Sequence, residues 1–130
     1  MNYALRIDLE RPFDEAVRMI KESLAESGFG ILTEIDLKAT LKNKIDVDID
    51  DQIILGACNP RFAYRGLQAE PSLGLLLPCN VVIRHQAGVT VVETIDPETM
   101  VTLTGNPQMK AVADEVRQAL KAALDRVASA

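Results

Sequence analysis

The sequence predicts an α+β fold: a mostly antiparallel sheet of about five strands with helices packed on one face. Three observations predict it. Tyr3, Leu5, Ile7 and Leu9 alternate with Ala4, Arg6, Asp8 and Glu10, the pattern of a strand with one buried and one wetter face, as antiparallel sheets have. Leu75 to His85 and Val89 to Ile95 read as two strands joined by the tight turn Gln86-Ala87-Gly88, a hairpin that a chain of regular βα units would not contain. No Gly-x-Gly-x-x-Gly loop follows a strand anywhere in the chain, which removes the signature of a doubly wound nucleotide-binding fold. The predicted order is β-α-β-α-β-α-β-β-α. At 130 residues the chain has the length of a single domain.

Each element has its own local reason. Pro12 suits the first turn of a helix, whose inward residues Phe13, Val17, Ile20 and Leu24 are spaced four, three and four apart, with Asp14 and Glu15 at its positive end and Gly28 as C-cap. Phe29 to Ile35 reads as the second strand. Asp36 is placed to cap a short helix that turns Leu37 and Leu41 inward and Lys38, Lys42 and Lys44 outward. After the acidic stretch Asp46 to Asp51, Gln52 to Cys58 forms a third strand, apolar on both faces. Asn59-Pro60 supplies an N-cap and a first helical residue for a helix reaching about Ala69. Pro78 within the fourth strand marks an edge, a bulge or a strand start. Asp96-Pro97-Glu98 is a turn. Asn106-Pro107 opens the last helix, with the stripe Met109, Val112, Val116, Leu120, Ala123 and Val127.

Composition narrows the function classes. Hydrophobic residues make up 48% and charged residues 25%, as in ordinary globular domains. The net charge of −5 and the scarcity of aromatics (three Phe, two Tyr, no Trp) argue against a nucleic-acid or anionic-membrane surface. The start Met1-Asn2-Tyr3-Ala4-Leu5-Arg6 lacks the pattern of a secretory leader, and no apolar run approaches the ~20 residues of a membrane helix. Two cysteines in such a chain fit reduced thiols and a cytoplasmic location. The Gly-x-Ser-x-Gly elbow is absent, and the single histidine, His85, sits at a hairpin end, which disfavours a Ser-His-Asp triad.

Two Cys-Asn pairs, Cys58-Asn59-Pro60 and Pro78-Cys79-Asn80, carry the only cysteines and follow apolar runs. A structural zinc ion would want four Cys or His ligands. Cys79 and His85 share a strand face but stand ~20 Å apart along it, so no metal is expected; a mixed site drawing on Glu34 and aspartates is the remaining metal option. Cys58 precedes a helix N-terminus, where the dipole favours a thiolate; its plainer role is a small buried hydrophobe at a strand end. Asn59 reads as an N-cap. Asn80 lacks so simple an account, because Asn is depleted in strands; it shares a face with Val82 and points away from Cys79. Glu34 and Lys38, near a strand end, form a general acid/base pair, a grip on a polar ligand, or simply surface charges in an ordinary salt bridge. Arg61 and Arg65 could receive an anion or line a solvated helix face.

Gly28-Phe29-Gly30-Ile31-Leu32-Thr33-Glu34-Ile35-Asp36, Ile54-Leu55-Gly56-Ala57-Cys58-Asn59-Pro60 and Leu76-Leu77-Pro78-Cys79-Asn80-Val81-Val82, with the later Asp96-Pro97, together resemble the bacterial and archaeal domain-of-unknown-function family number 302, over roughly Tyr3 to Ala128. The resemblance implies an α+β fold similar to the TATA-box-binding-protein-like class, with a curved antiparallel sheet and helices against one face. It carries over no reaction, cofactor or residue role, and a fold does not by itself imply DNA binding.

The leading expectation is a small cytoplasmic domain that binds a small molecule or partner at a strand-end site gathering Glu34, Lys38, Cys58, Asn59, Cys79 and Asn80, and that self-associates, as a dimer. A thiol-dependent enzyme or redox protein using Cys58 is one alternative. A structural homo-oligomerisation module is the other.

Overall fold

The computed structural model describes residues 3–130; Met1 and Asn2, which begin the segment read for a leader, lie outside the described residues. Five strands, β1 (Ala4–Leu9), β2 (Gly30–Asp36), β3 (Gln52–Cys58), β4 (Cys79–Gln86) and β5 (Val89–Ile95), form one sheet in the order β1-β5-β4-β3-β2, and every neighbouring pair is antiparallel. Five helices accompany them: α1 (Phe13–Glu26), α2 (Leu37–Ile45), α3 (Pro60–Ala69), α4 (Glu98–Thr104) and α5 (Lys110–Ala128). Short 3-10 turns at Pro71–Leu76 and Pro107–Met109 precede β4 and α5.

The period-two pattern decides which sheet face is covered. Leu9, Leu55, Ala57, Cys79, Val81, Ile83 and Val92 are buried together with the inner residues of α1 and α5, while Arg6, Asp8, Asn80, Arg84 and Glu93 project from the other face. α1 buries Ala16, Val17, Ile20 and Leu24, and α5 buries Val112, Val116, Leu120, Ala123, Leu124 and Val127. The two helices lie side by side. Ser23 Oγ donates to Ala123 O at 2.7 Å, and Arg126 Nη1 donates to Ser23 O at 2.9 Å, so a polar residue inside the helix pair is fully satisfied. Thr90 and Thr94, buried on the sheet, donate to Arg11 O (2.8 Å) and Asn80 O (3.0 Å).

The caps act as the sequence predicts. Asp36 Oδ1 accepts the Ala39 N–H at 2.9 Å. Asn59 Oδ1 accepts those of Arg61 (3.2 Å) and Phe62 (3.4 Å). At the end of α1 the Phe29 N–H reaches Leu24 O (2.9 Å) and the Gly28 N–H reaches Ala25 O (3.1 Å), with Gly28 at φ +87°. These are the two bonds of a Schellman motif, and they explain why β2 starts at Gly30 rather than at Phe29: the Phe29 N–H is spent on the helix.

Three expectations are corrected. Leu75–Leu77 is not strand: Pro71–Leu76 winds into a 3-10 turn and β4 begins at Cys79, after Pro78, which has no N–H to give to a ladder. The stretch after Asp96-Pro97 is helical, not turn alone. In α4 the hydroxyls of Thr99 and Thr104 donate to the carbonyls of Asp96 (2.8 Å) and Met100 (2.5 Å), and the burial of Met100 offsets the low helix propensity of threonine. Leu37 and Leu41 are only half-buried, and α2 buries no residue at all.

Candidate functional site

β3 and β4 bring the two cysteines together. Ala57 is paired in register with Cys79, so Cys58, the last residue of β3, lies one rung beyond its partner. Both thiols are free; Cys79 is buried and Cys58 half-buried. Both residues line one cavity beside the sheet end, with Phe62 and Ala63 of α3, Leu73 and Leu77 of the following segment, and Met100, Val112 and Val116 from α4 and α5. Its free volume is about 20 Å³, room for roughly one water-sized group. Its lining is almost wholly apolar and includes no carboxylate, histidine or lysine.

Electrostatics follow from that setting. Burial, with the neighbouring Cys58 as the smaller cause, pushes the Cys79 thiol up to about 11. It therefore stays protonated at neutral pH and is a poor nucleophile. Asn59 stands at the cavity rim with its side-chain oxygen committed to the first amides of α3. A Cβ on Gly28 would come within 2.9 Å of Asn59 Nδ2, so glycine there serves both the left-handed turn and the close approach of this amide.

The other expected site residues lie elsewhere. Asn80 is exposed on the opposite sheet face from Cys79, in an open groove with Tyr3, Val82, Glu93 and Ile95. Its backbone oxygen accepts from Thr94. Glu34 is paired in register with Leu55, three residues before Cys58, or about 10 Å along the strand, and its carboxylate is engaged by Lys21 of α1. Lys38 follows Asp36, whose register partner is Ile53, about 17 Å from Cys58 along β3; its ammonium is 3.6 Å from Asp51. Because β2 and β3 are antiparallel, the end of β2 lies beside the start of β3, away from the cysteines. The structure thus brings Cys58, Asn59 and Cys79 together and leaves Glu34, Lys38 and Asn80 apart from them. Arg65 is held by Glu115 at 2.5 Å, which ties α3 to α5 rather than offering an anion site. Among the described residues no three of His, Cys, Asp and Glu converge so as to hold a metal ion.

Sequence reasoning missed Phe62, Leu77 and Met100 as cavity residues. Phe62, three residues after the Asn59 cap, carried a readable signal, because it falls on the inner face of α3. Leu77 was concealed by its place in an apolar run that resembles a strand, and Met100 by a helix rich in threonine.

Of the cavity's roof, α3 has little fully buried surface, whereas Leu73 of the adjoining turn is buried in the core. α3 buries only Gly66, against which Leu73 packs so closely that a Cβ would collide with it. Beyond Arg65, the roof is tied down by Asn106 Nδ2, which donates to Ala69 O at 2.8 Å. Elements with few buried contacts are those that open locally at low cost.

Among the described residues no helix is long and apolar enough to cross a membrane. A family model described as "Domain of unknown function DUF302" matches residues 5–127. The crystal structure of an uncharacterized conserved protein DUF302 from Bacillus stearothermophilus has the same fold, with a TM-score of 0.91 and 28% sequence identity over 97% of this chain and 98% of that one. A search of curated proteins gives no match.

Proposed function

The chain belongs to the DUF302 family, whose description names no activity, and we propose that this member is a binding domain that admits a slim apolar ligand, or an apolar side chain of a partner, into the cavity beside Cys58 and Cys79. The observation that carries this reading is the convergence of the chain's two cysteines, far apart in sequence, on one apolar cavity. Small-molecule sites are mostly apolar and carry a few placed polar groups. Here the polar members of the lining are Cys58 and, at the rim, Asn59. The free volume accepts little as it stands, so binding requires α3 to lift, and its single fully buried residue, Gly66, supports that movement. Glu34, Lys38 and Asn80 have no part in it.

A thiol-dependent reaction at Cys58 has less in its favour. The cavity lining offers no base to activate the thiol, and Cys79 is held protonated by burial.

Titration with short straight-chain alcohols, followed by amide chemical shifts, tests the proposal. Saturable changes are expected at Ala57, Phe62 and Cys79, and they should disappear in Ala63→Leu, which narrows the cavity from the roof. Shifts that never saturate, or that persist unchanged in a folded Ala63→Leu variant, would refute it.

A further inference from the structure

We propose that the groove on the open face of the sheet, around Asn80 and Glu93, is a second binding site, which takes a small primary amine with an apolar body. It lies on the opposite side of β4 from the cysteine cavity and is independent of what that cavity binds.

β4 is the middle strand of the five, and its residues alternate between two settings. Cys79, Val81 and Ile83 belong to the core. Asn80, Val82 and Arg84 project from the other face. Register sets Glu93 beside both Arg6 and Val82, and Ile95 beside Ala4. Ala4, Val82, Glu93 and Ile95, with the exposed Tyr3 and Asn80, line a groove whose free volume is about 270 Å³. That is close to the ~300 Å³ at which small-molecule pockets begin, where the cysteine cavity offers about 20 Å³.

Charge decides which ligand fits. Glu93 is the one charged residue in the lining, and its side chain is only 16% exposed. Arg84 approaches a single oxygen of that carboxylate: Nε stands 3.0 Å and Nη2 2.9 Å from Oε1. Arg6, the register partner of Glu93, turns instead to Asp8, with Nε 2.7 Å from Oδ1. Oε2 is thereby left to accept from a ligand, and a half-buried carboxylate binds an ammonium more strongly than one in open water. An anion is repelled at the same place. The net charge of −5 draws cations toward the protein as a whole.

Asn80 supplies the second polar group. Asparagine is depleted in strands, yet here it occupies the central one. Among the described residues only its backbone oxygen is bonded, by Thr94, so its side chain serves neither a cap nor a turn. The amide offers a donor and an acceptor at the groove. An ammonium on Glu93, an apolar body against Val82 and Ile95, and a polar substituent at Asn80 together satisfy a lining that is mostly apolar with a few placed polar groups.

Benzylamine is the probe, with benzyl alcohol as its uncharged analogue of similar shape. Titration of the full chain at neutral pH to ~20 mM, followed by amide chemical shifts, should give saturable changes at Val82, Glu93 and Ile95, with the alcohol at least ~10-fold weaker. Glu93→Gln keeps an acceptor for Arg84 and should weaken benzylamine by ~10-fold or more. Should that variant fail to fold, the exposed substitution Asn80→Asp gives the converse test: a second carboxylate at the groove should tighten benzylamine binding and leave benzyl alcohol unchanged. Shifts that never saturate would overturn the proposal. So would equal affinities for the amine and the alcohol, amine binding unchanged in a folded Glu93→Gln or Asn80→Asp variant, or shifts confined to Ala57, Phe62 and Cys79, which would place the amine in the cysteine cavity.

Discussion

Ala87 is the least comfortable residue in the sheet. Gln86 and Val89 are paired in register, which leaves Ala87 and Gly88 as a two-residue loop, and both have positive φ, +49° and +82°. That is the pattern of a type I′ turn, which matches the twist of a hairpin and favours Asn-Gly. The Cβ of alanine makes a left-handed conformation cost about 1 kcal/mol, a cost the hairpin pairing offsets. Ala87→Asn is therefore expected to stabilise the protein by roughly 0.5–1 kcal/mol, read as a higher urea midpoint with an unchanged slope; a lower midpoint would show that the turn is not strained at this residue. Gly56 makes the converse case. A Cβ there would lie 2.8 Å from Pro78 Cγ and would also collide with Thr33 Oγ1. A glycine in the middle of an apolar strand thus records how closely β2 and the start of β4 crowd against β3.

Helices and strands were legible in the sequence wherever a local rule was sufficient. The Asn59 cap, the Asp36 cap, the Gly28 turn and the stripe of α5 are set by side chains within a few residues of one another, and each is found where the pattern puts it. The start of β4 and the whole of α4 were not legible, because Leu75–Leu77 looks like a strand in isolation and α4 is held by a buried Met100 rather than by a stripe. The site was legible only in part for a related reason. That Cys58 and Cys79 meet depends on Ala57 being paired with Cys79, a non-local choice of register, and that Glu34 and Lys38 are distant depends on the antiparallel course of β2 and β3. The roof over the cysteines can be tested as an element. Asn106 both caps the turn before α5, accepting the Gln108 N–H at 2.9 Å, and ties down the end of α3 through Ala69 O. Asn106→Ala should cost about 1–2 kcal/mol, and hydrogen exchange in α3 should speed up more than exchange in α1. Equal acceleration in the two helices would mean that Asn106 supports the fold generally and not the roof.

At the scale of the whole molecule, stability and alkaline pH are linked through the buried thiol. Cys79 is 4% exposed, and burial, with Cys58 adding to it, raises its pKa from 9.0 to about 11. The folded pKa lies above the unfolded one, so the full contribution is present below pH 9 and is lost as pH rises toward 11, because the unfolded chain gives up the proton first. A rise of this size corresponds to roughly 2–3 kcal/mol between those limits. Lysines and tyrosines also titrate in this range, so the effect must be read as a difference. Cys79→Ala removes the thiol and leaves a small cavity that lowers stability at every pH. The gap between wild type and Cys79→Ala, measured by urea unfolding at pH 8, 9.5 and 11, should narrow as pH rises, by about 2 kcal/mol over the range. Parallel curves would mean that Cys79 titrates alike in the folded and unfolded chains, which would require water at the thiol and so an open roof above it. The same measurement therefore reports on the fold's alkaline limit and on whether the cavity beside the cysteines stays closed when no ligand is bound.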